Sequence, residues 1–356
     1  MKIRLAILEK DQNYLERIVH VFTTKYADKF EIYSFTDKNV AMETLESAKI
    51  DVFLVNDLYT IDVKDIPRRC GFAYLVDDND VETINDQRAI CKFQKADIIY
   101  KNIVSIYSEN TKNISGVKLD DDSTRIILFT SPSGGAGSSS MASACAIHFA
   151  QQGYKTLYVN IEKYGSTDII FDGEGNFDMS DVIFAVKSKK ANLALKLESC
   201  VKQSQNGVYF YSQPKIALDM LEMGSDDIIT LINQLNISSD YDYMIIDADF
   251  SLDKDSLSVW RIAHAIIWTG DGSELSNSKI FRAYTALDTI EQNNDSPITN
   301  RISLIYNKFS NKTSKAIGDI GIKNIGGAPV YVHSNSQQVV FELCKINDFD
   351  KIFDER

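Results

Sequence analysis

The chain has 356 residues, 44% hydrophobic and 25% charged, with 38 basic side chains against 50 acidic ones and a formal net charge of −12. One core rarely serves a chain of that length, so two domains are expected, and an acidic surface without a strong basic cluster argues against nucleic acid as a partner. No apolar run approaches the about 18 residues of a membrane-spanning helix, and the first apolar stretch is too short for a secretion signal, so we expect a cytoplasmic protein with no transmembrane segment.

Over residues 1–107, strand-like runs at Ile3–Leu8, Phe30–Phe35, Val52–Val55, Phe72–Val76 and Ala89–Cys91 alternate with amphipathic stretches. In Tyr14–Thr24, the residues Leu15, Ile18, Val19 and Phe22 fall on one helical face. Strands alternating with helices predict a parallel sheet covered on both sides, here five strand–helix units in flavodoxin-like order. The segment resembles a response-regulator receiver domain. That resemblance implies an acidic pair after the first strand, matched by Glu9 and Asp11, and a lysine after the fifth, matched by Lys92. The phospho-accepting position at the end of the third strand holds Asn56, with Asp57 next. An amide has no negative charge and a delocalised nitrogen, so it is a poor phosphoryl nucleophile. Asp57 could serve only after a one-residue register shift, which would turn it to the other face. We expect Glu9, Asp11, Asn56 and Lys92 to form a receiver-like pocket that is not phosphorylated.

Residues 108–124 are polar, with Gly116 and the run Asp120-Asp121-Asp122, and predict a surface linker. A second domain-scale pattern starts at Arg125. The apolar run Ile126–Thr130 leads into Ser131-Pro132-Ser133-Gly134-Gly135-Ala136-Gly137-Ser138-Ser139-Ser140, and an Ala-rich helical stretch follows from Met141 to Gln152. Strand, glycine-rich turn and helix together suit an anion, because backbone N–H groups can curl around it at the positive end of a helix. The alternative is a flexible Gly/Ser linker, which has no need to join a buried strand to a helix so tightly.

Five further segments complete the pattern. Lys155–Glu162 predicts a strand ending with Asn160 and Glu162, and Tyr241–Asp247 predicts one ending in a carboxylate. Ala265–Thr269 and Ile302–Lys308 are strands, the second carrying Asn307, and Pro329–Val332 fits the last strand. Asp247 reads either as a metal-side carboxylate or as a helix cap. The five cysteines (Cys70, Cys91, Cys145, Cys200 and Cys344) have no paired spacing and predict reduced, mostly buried thiols. His148, among Ala and Phe, predicts a packed side chain.

The glycine-rich turn resembles the deviant Walker A loop of the MinD/ParA ATPases, with Gly134, Gly135 and Gly137 in place. The resemblance implies a C-terminal P-loop NTPase domain of SIMIBI type over residues 125–356, binding ATP and Mg2+. It puts Ser139 and, through water, Asp247 on the metal, and Gly134, Gly135, Ala136, Gly137, Ser138, Ser139 and Ser140 around the phosphates. Asn307 would read the adenine edge with Pro329 nearby, since an amide donates and accepts at once. Asn160 and Glu162 stand where the family has two aspartates beside the attacking water, a degenerate catalytic pair. Both loop lysines are replaced, by Ser133 and Ser138, so ATP binding with weak or absent hydrolysis is expected. Lys163 is a candidate replacement cation.

The fold class expected is thus α/β, two doubly wound parallel-sheet domains. This ordering resembles the TadZ/CpaE family of pilus assembly proteins over nearly the whole chain. It implies a localisation and scaffold factor for a tight-adherence (Flp) pilus secretion machine, a homodimer acting at the cell pole or inner membrane face through pilus and secretion partners. Two alternatives differ in class: an active ATPase cycling on a surface, which needs a replacement lysine and a basic face, and a phosphorelay regulator, which Asn56 opposes.

Overall fold

The computed structural model of the chain describes residues 2–110, 124–189, 192–238, 240–292, 297–318, 320–332 and 334–353. The expected linker lies outside the described residues over 111–123. The described residues form two compact units, one from 2–110 with 188–189 and 192–200, the other from 124–187 and the described part of 201–353.

In the first unit, the strands are β1 (Ile3–Leu8), β2 (Phe30–Phe35), β3 (Val52–Asn56), β4 (Gly71–Val76), β5 (Thr83–Ile84) and β6 (Gln87–Cys91). Three helices follow the strands in turn: α1 (Gln12–Lys25), α2 (Lys38–Ser47) and α3 (Ala96–Asn110). The sheet order is β2-β1-β3-β4-β6-β5, parallel throughout except for β5 against β6, which is the flavodoxin-like arrangement. Side chains on a strand alternate between faces, and β1 feeds two cores accordingly. Leu5 and Ile7 pack with Phe22 and Ile103, while Ala6 and Leu8 pack with Leu45. Helix α1 begins where Asp11 accepts the N–H groups of Asn13 and Tyr14, and it buries Leu15, Ile18 and Phe22.

Two of the five expected helices do not form. The connection after β3 holds a 3-10 turn at Val63–Asp65, and the one after β4 holds the β5–β6 hairpin. Both stretches lack an apolar face at helical spacing. The first carries Pro67 and the second runs Asp77-Asp78-Asn79-Asp80. The hairpin turns on Asn85 and Asp86 at φ 50° and 61°, a left-handed pair that Asn and Asp tolerate best after glycine.

The second unit opens with β7 (Arg125–Thr130), α4 (Ser138–Gln151), β8 (Thr156–Asn160), α5 (Thr167–Ile170) and α6 (Met179–Lys187). Helix α7 (Leu193–Cys200) follows in sequence but packs in the first unit, against α3. There Tyr100 Oη donates to Glu198 Oε1 at 3.0 Å, and the buried Lys196 ammonium donates to Ser105 Oγ at 2.9 Å. The second unit resumes with β9 (Lys202–Gln203), β10 (Tyr209–Phe210), α8 (Leu218–Leu221), α9 (Ser225–Ser238), β11 (Tyr243–Asp247) and α10 (Lys254–Trp260). It ends with β12 (Ala265–Gly270), α11 (Glu274–Glu291), β13 (Ile302–Phe309), β14 (Lys323–Pro329) and α12 (Ser336–Leu343).

Its sheet runs β14-β13-β12-β7-β11-β8-β10-β9, parallel except for β9 against β10. Strand β7 is central, and the run Met141–Phe149 of α4 is buried between the sheet and α12. That double burial explains an Ala-rich helix with apolar residues on every face. His148 is packed as expected, its ring nitrogens 2.9 Å from Cys344 O and from Asp350 Oδ1. All five cysteines are free and buried. No helix of the described residues is long and apolar enough to cross a membrane.

The last strand differs from expectation. It is Lys323–Pro329, so Pro329 ends the strand where Pro329–Val332 was expected to form one. A Cβ on Gly327 would collide with the Tyr306 carbonyl oxygen, so only glycine lets β14 approach β13 this closely. The glycines that permit the pairing are the ones that hide the strand from propensity reasoning.

Ile245 sits fully buried in β11, in the core that also holds Ile127 and Phe129. Ile245→Ala is expected to lower stability by about 2–5 kcal/mol. Urea unfolding followed by the fluorescence of Trp260 and Trp268, both buried in this unit with ring centroids 6.3 Å apart, reads that loss.

Candidate functional site

In the first unit three of the four expected pocket residues meet. Glu9, Asn56 and Lys92 are all buried. Asn56 Nδ2 donates to Glu9 Oε1 at 2.7 Å, and Lys92 Nζ lies 3.4 Å from Glu9 Oε2 and 2.7 Å from Asp77 Oδ1. Glu9 Oε1 also accepts the backbone N–H groups of Lys10 and Asp11. Asp11 does not join: its carboxylate is spent capping α1. Asp77, which follows β4, was not anticipated; an acidic residue directly after an apolar strand of this sheet was the available signal. Burial works to lower the Lys92 pKa, but its hydrogen bond to Asp77 and the charges of Glu9 and Asp77 outweigh that and raise it. Glu9 Oε1 is thus fully engaged, while Oε2 has only the Lys92 charge beside it and no hydrogen bond, the ammonium lying closer to Asp77.

Asn56→Asp would set a second carboxylate against Glu9 in that buried place. Like charges hold each other's pKa up, so the cost is absent at low pH and grows as pH rises through the raised value. We expect the variant to lose about 1–3 kcal/mol at pH 8 relative to the parent and to recover most of it by pH 4.5, measured by thermal melts across that range.

In the second unit the glycine-rich turn joins β7 to α4 as expected. Gly135 and Gly137 have φ of 80° and 87°, and a Cβ on Gly137 would collide with the Asn307 amide. The turn is braced from within by Ser131, whose Oγ donates to Ser133 O at 2.8 Å or to Thr269 O at 2.6 Å and accepts the Ser133 N–H. From β13, Asn307 Nδ2 donates to Ala136 O at 3.0 Å and Lys308 Nζ donates to Gly135 O at 2.9 Å. Helix α4 has no side-chain cap and no acidic residue in its first turn, and Ser138 Oγ is buried without a partner. A helix end with free N–H groups and no competing carboxylate cap favours an anion.

Beside the loop lies a compact polar cluster. Ser139 Oγ donates to Glu162 Oε1 at 3.2 Å. Asn160 Nδ2 stands 3.0 Å from Glu162 Oε2 and 3.2 Å from Asp247 Oδ2, and Tyr158 Oη donates to Asp247 Oδ2 at 2.7 Å. Asp247 is fully buried, and its Oδ1 has no hydrogen-bond partner. Burial and the nearby Glu162 charge push its carboxyl up to about 8, against the hydroxyls of Tyr158 and Ser139. An orphaned carboxylate oxygen next to a serine hydroxyl, in a site rich in hard oxygen donors, suits Mg2+. Lys163 lies elsewhere: its backbone N–H binds Asp249 Oδ2 and it lines a separate cavity of about 330 Å³ with Met220 and Trp260. Pro329 lines another cavity, of about 560 Å³, with Tyr306, Phe309 and Gly327.

A carboxyl raised to about 8 in the fold and near 4 when unfolded binds the extra proton in the native state. In EDTA, the contribution of Asp247 to stability is therefore fully present below its unfolded value and is lost as pH rises toward the folded one, by at most about 1.4 kcal/mol per unit. Asp247→Asn is expected to remove that decline and melt higher than the parent at pH 8.

Residues 1–108 match the family model described as TadZ-like, receiver domain. The second unit has the fold of a solved ParA family ATPase. It is similar to a ParA family ATPase from Chlorobium tepidum, with a TM-score of 0.52 and 20% identity over 65% of this chain and 98% of that one. Weaker likenesses are to MinD of Aquifex aeolicus (TM-score 0.46, 14% identity, covering 62% of this chain and 95% of that one) and to MinD of Pyrococcus horikoshii, solved with Mg-ADP (0.45, 15%, 62% and 94%). No curated protein matches the sequence.

Proposed function

We propose that this chain, a TadZ-like receiver domain followed by a ParA-like fold, is an ATP-binding localisation and scaffold factor for assembly of a tight-adherence pilus machine, with hydrolysis weak or lost. One observation carries the reading. The loop keeps its glycines, its left-handed turns and its open helix end, while every residue from Ser131 to Ser140 is uncharged. Gly134, Gly135, Ala136 and Gly137 with Ser138, Ser139 and Ser140 would surround the phosphates through backbone N–H and hydroxyl groups. Ser139 and, through water, Asp247 would hold Mg2+, which when bound offsets phosphate charge. Asn307 spends one N–H on Ala136 and accepts one from Lys308 N, so a donor hydrogen and a lone pair remain for the adenine edge, near Pro329.

The catalytic pair is degenerate for a physical reason. With Asp247 and Glu162 already close, a third buried carboxylate at position 160 would be repelled; the Asn160 amide instead bridges the other two. A bridging amide stabilises the resting cluster and cannot act as a general base. Removing one donor aimed at transition-state charge costs about 10²–10³ in rate, and this loop lacks two. The scaffold reading adds a homodimer in the cytoplasm, held at a pole or at the inner membrane face by pilus and secretion partners. The receiver pocket, where the Asn56 amide is hydrogen-bonded to Glu9 in place of a phosphate-accepting carboxylate, supports a docking role over phosphorelay.

A titration with MgATP and a phosphate-release assay on one sample test the proposal. Expected are saturable MgATP binding and release no faster than the buffer control. Multiple turnovers would establish the cycling ATPase, and labelling by acetyl phosphate would establish the regulator.

A further inference from the structure

The loop has no cation of its own sequence, yet an ammonium stands on it. Lys308 Nζ donates to Gly135 O at 2.9 Å, and among the described residues no carboxylate pairs with it. The backbone is shaped to bring it there. Lys308 has φ 58°, a left-handed conformation that is uncommon for a lysine. The register of β13 against β14 breaks between Tyr306 and Phe309, around that residue, and such a bulge re-aims a side chain. The neighbouring Asn307 fixes the geometry, since its amide holds Ala136 O and its Oδ1 accepts the Lys308 N–H.

We propose that Lys308 is the loop's replacement cation: delivered from β13, it holds the Gly135 carbonyl outward so that the loop N–H groups face in, and it supplies the positive charge that Ser133 and Ser138 do not. This rests on the nucleotide-binding reading and names the residue that makes the site prefer a polyphosphate over a neutral nucleoside. Lys308 is a positioning residue by this geometry, because its contact is with the loop backbone. Ion pairing with a ligand through a charged donor is lost when the charge is removed, whereas a purely steric brace would survive in a neutral side chain of similar length.

Isothermal titration of the full chain with MgATP and with adenosine, on the parent, Lys308→Gln and Lys308→Arg, tests this. We expect Lys308→Gln to weaken MgATP binding about 10–100-fold, to leave adenosine affinity unchanged, and to melt as the parent does, with Lys308→Arg restoring most of the loss. If the parent binds MgATP and Lys308→Gln binds it equally well, the inference is wrong and the nucleotide site stands. A fall in adenosine affinity of the same size would also overturn it, by making Lys308 a structural brace alone. Should the parent itself bind no MgATP, the nucleotide reading fails whatever Lys308 does. Lys308→Asn, whose side chain suits a left-handed residue, repeats the measurement if the Gln variant does not fold.

Discussion

The second unit depends on which way one short loop faces. Backbone N–H and carbonyl groups of a tight turn point to opposite sides, so a turn whose carbonyls are held outward must present its N–H groups inward. The carbonyls of Gly135 and Ala136 each accept a hydrogen bond from one of two adjacent residues of β13, and the clash awaiting any Cβ on Gly137 shows how little room that grip leaves. Strand β13 has to be in register with β12, and β12 with β7, for the grip to exist, which links the sheet order to the site.

Both units solve one electrostatic problem in the same way. A buried carboxylate without a metal or a cation is costly, and a second one beside it is worse. In the first unit Asn56 takes the place of a carboxylate and donates to Glu9; in the second Asn160 does so between Asp247 and Glu162. An amide of almost the same shape turns a repulsive pair into a hydrogen-bonded one. The exchange gives up chemistry: Asn56 cannot accept phosphate, and Asn160 cannot take a proton. What remains in each unit is a buried amide–carboxylate hydrogen bond, with one carboxylate oxygen, Glu9 Oε2 in the first and Asp247 Oδ1 in the second, left without a hydrogen bond.

Much of this was legible in the sequence. Strands of Val, Ile and Leu that end in or run directly into a polar residue belong to parallel sheets with chemistry at their carboxyl ends, so β1, β3, β7 and β11 were placed within a residue or two, and Glu9, Asn56 and Asp247 with them. Four things were not. Strand β14 is built on glycines that only a close neighbour explains. The two missing helices leave short polar connections that periodicity cannot distinguish from weak helices. Helix α7 follows α6 by a few residues yet packs in the first unit, a long-range choice that local pattern does not encode. Lys308 reads as a residue at a strand end, and only the bulge reveals where its ammonium goes; the nearer Lys163 was the sequence candidate and lines a different cavity.

The most direct measurement is amide hydrogen exchange of the 131–140 loop with and without MgATP, in the full chain. If inward-facing N–H groups grip the phosphates, the amides of Gly134 through Ser140 become strongly protected on ligand addition while the core strands are unchanged. Saturating MgATP with no added protection anywhere in that loop would contradict it.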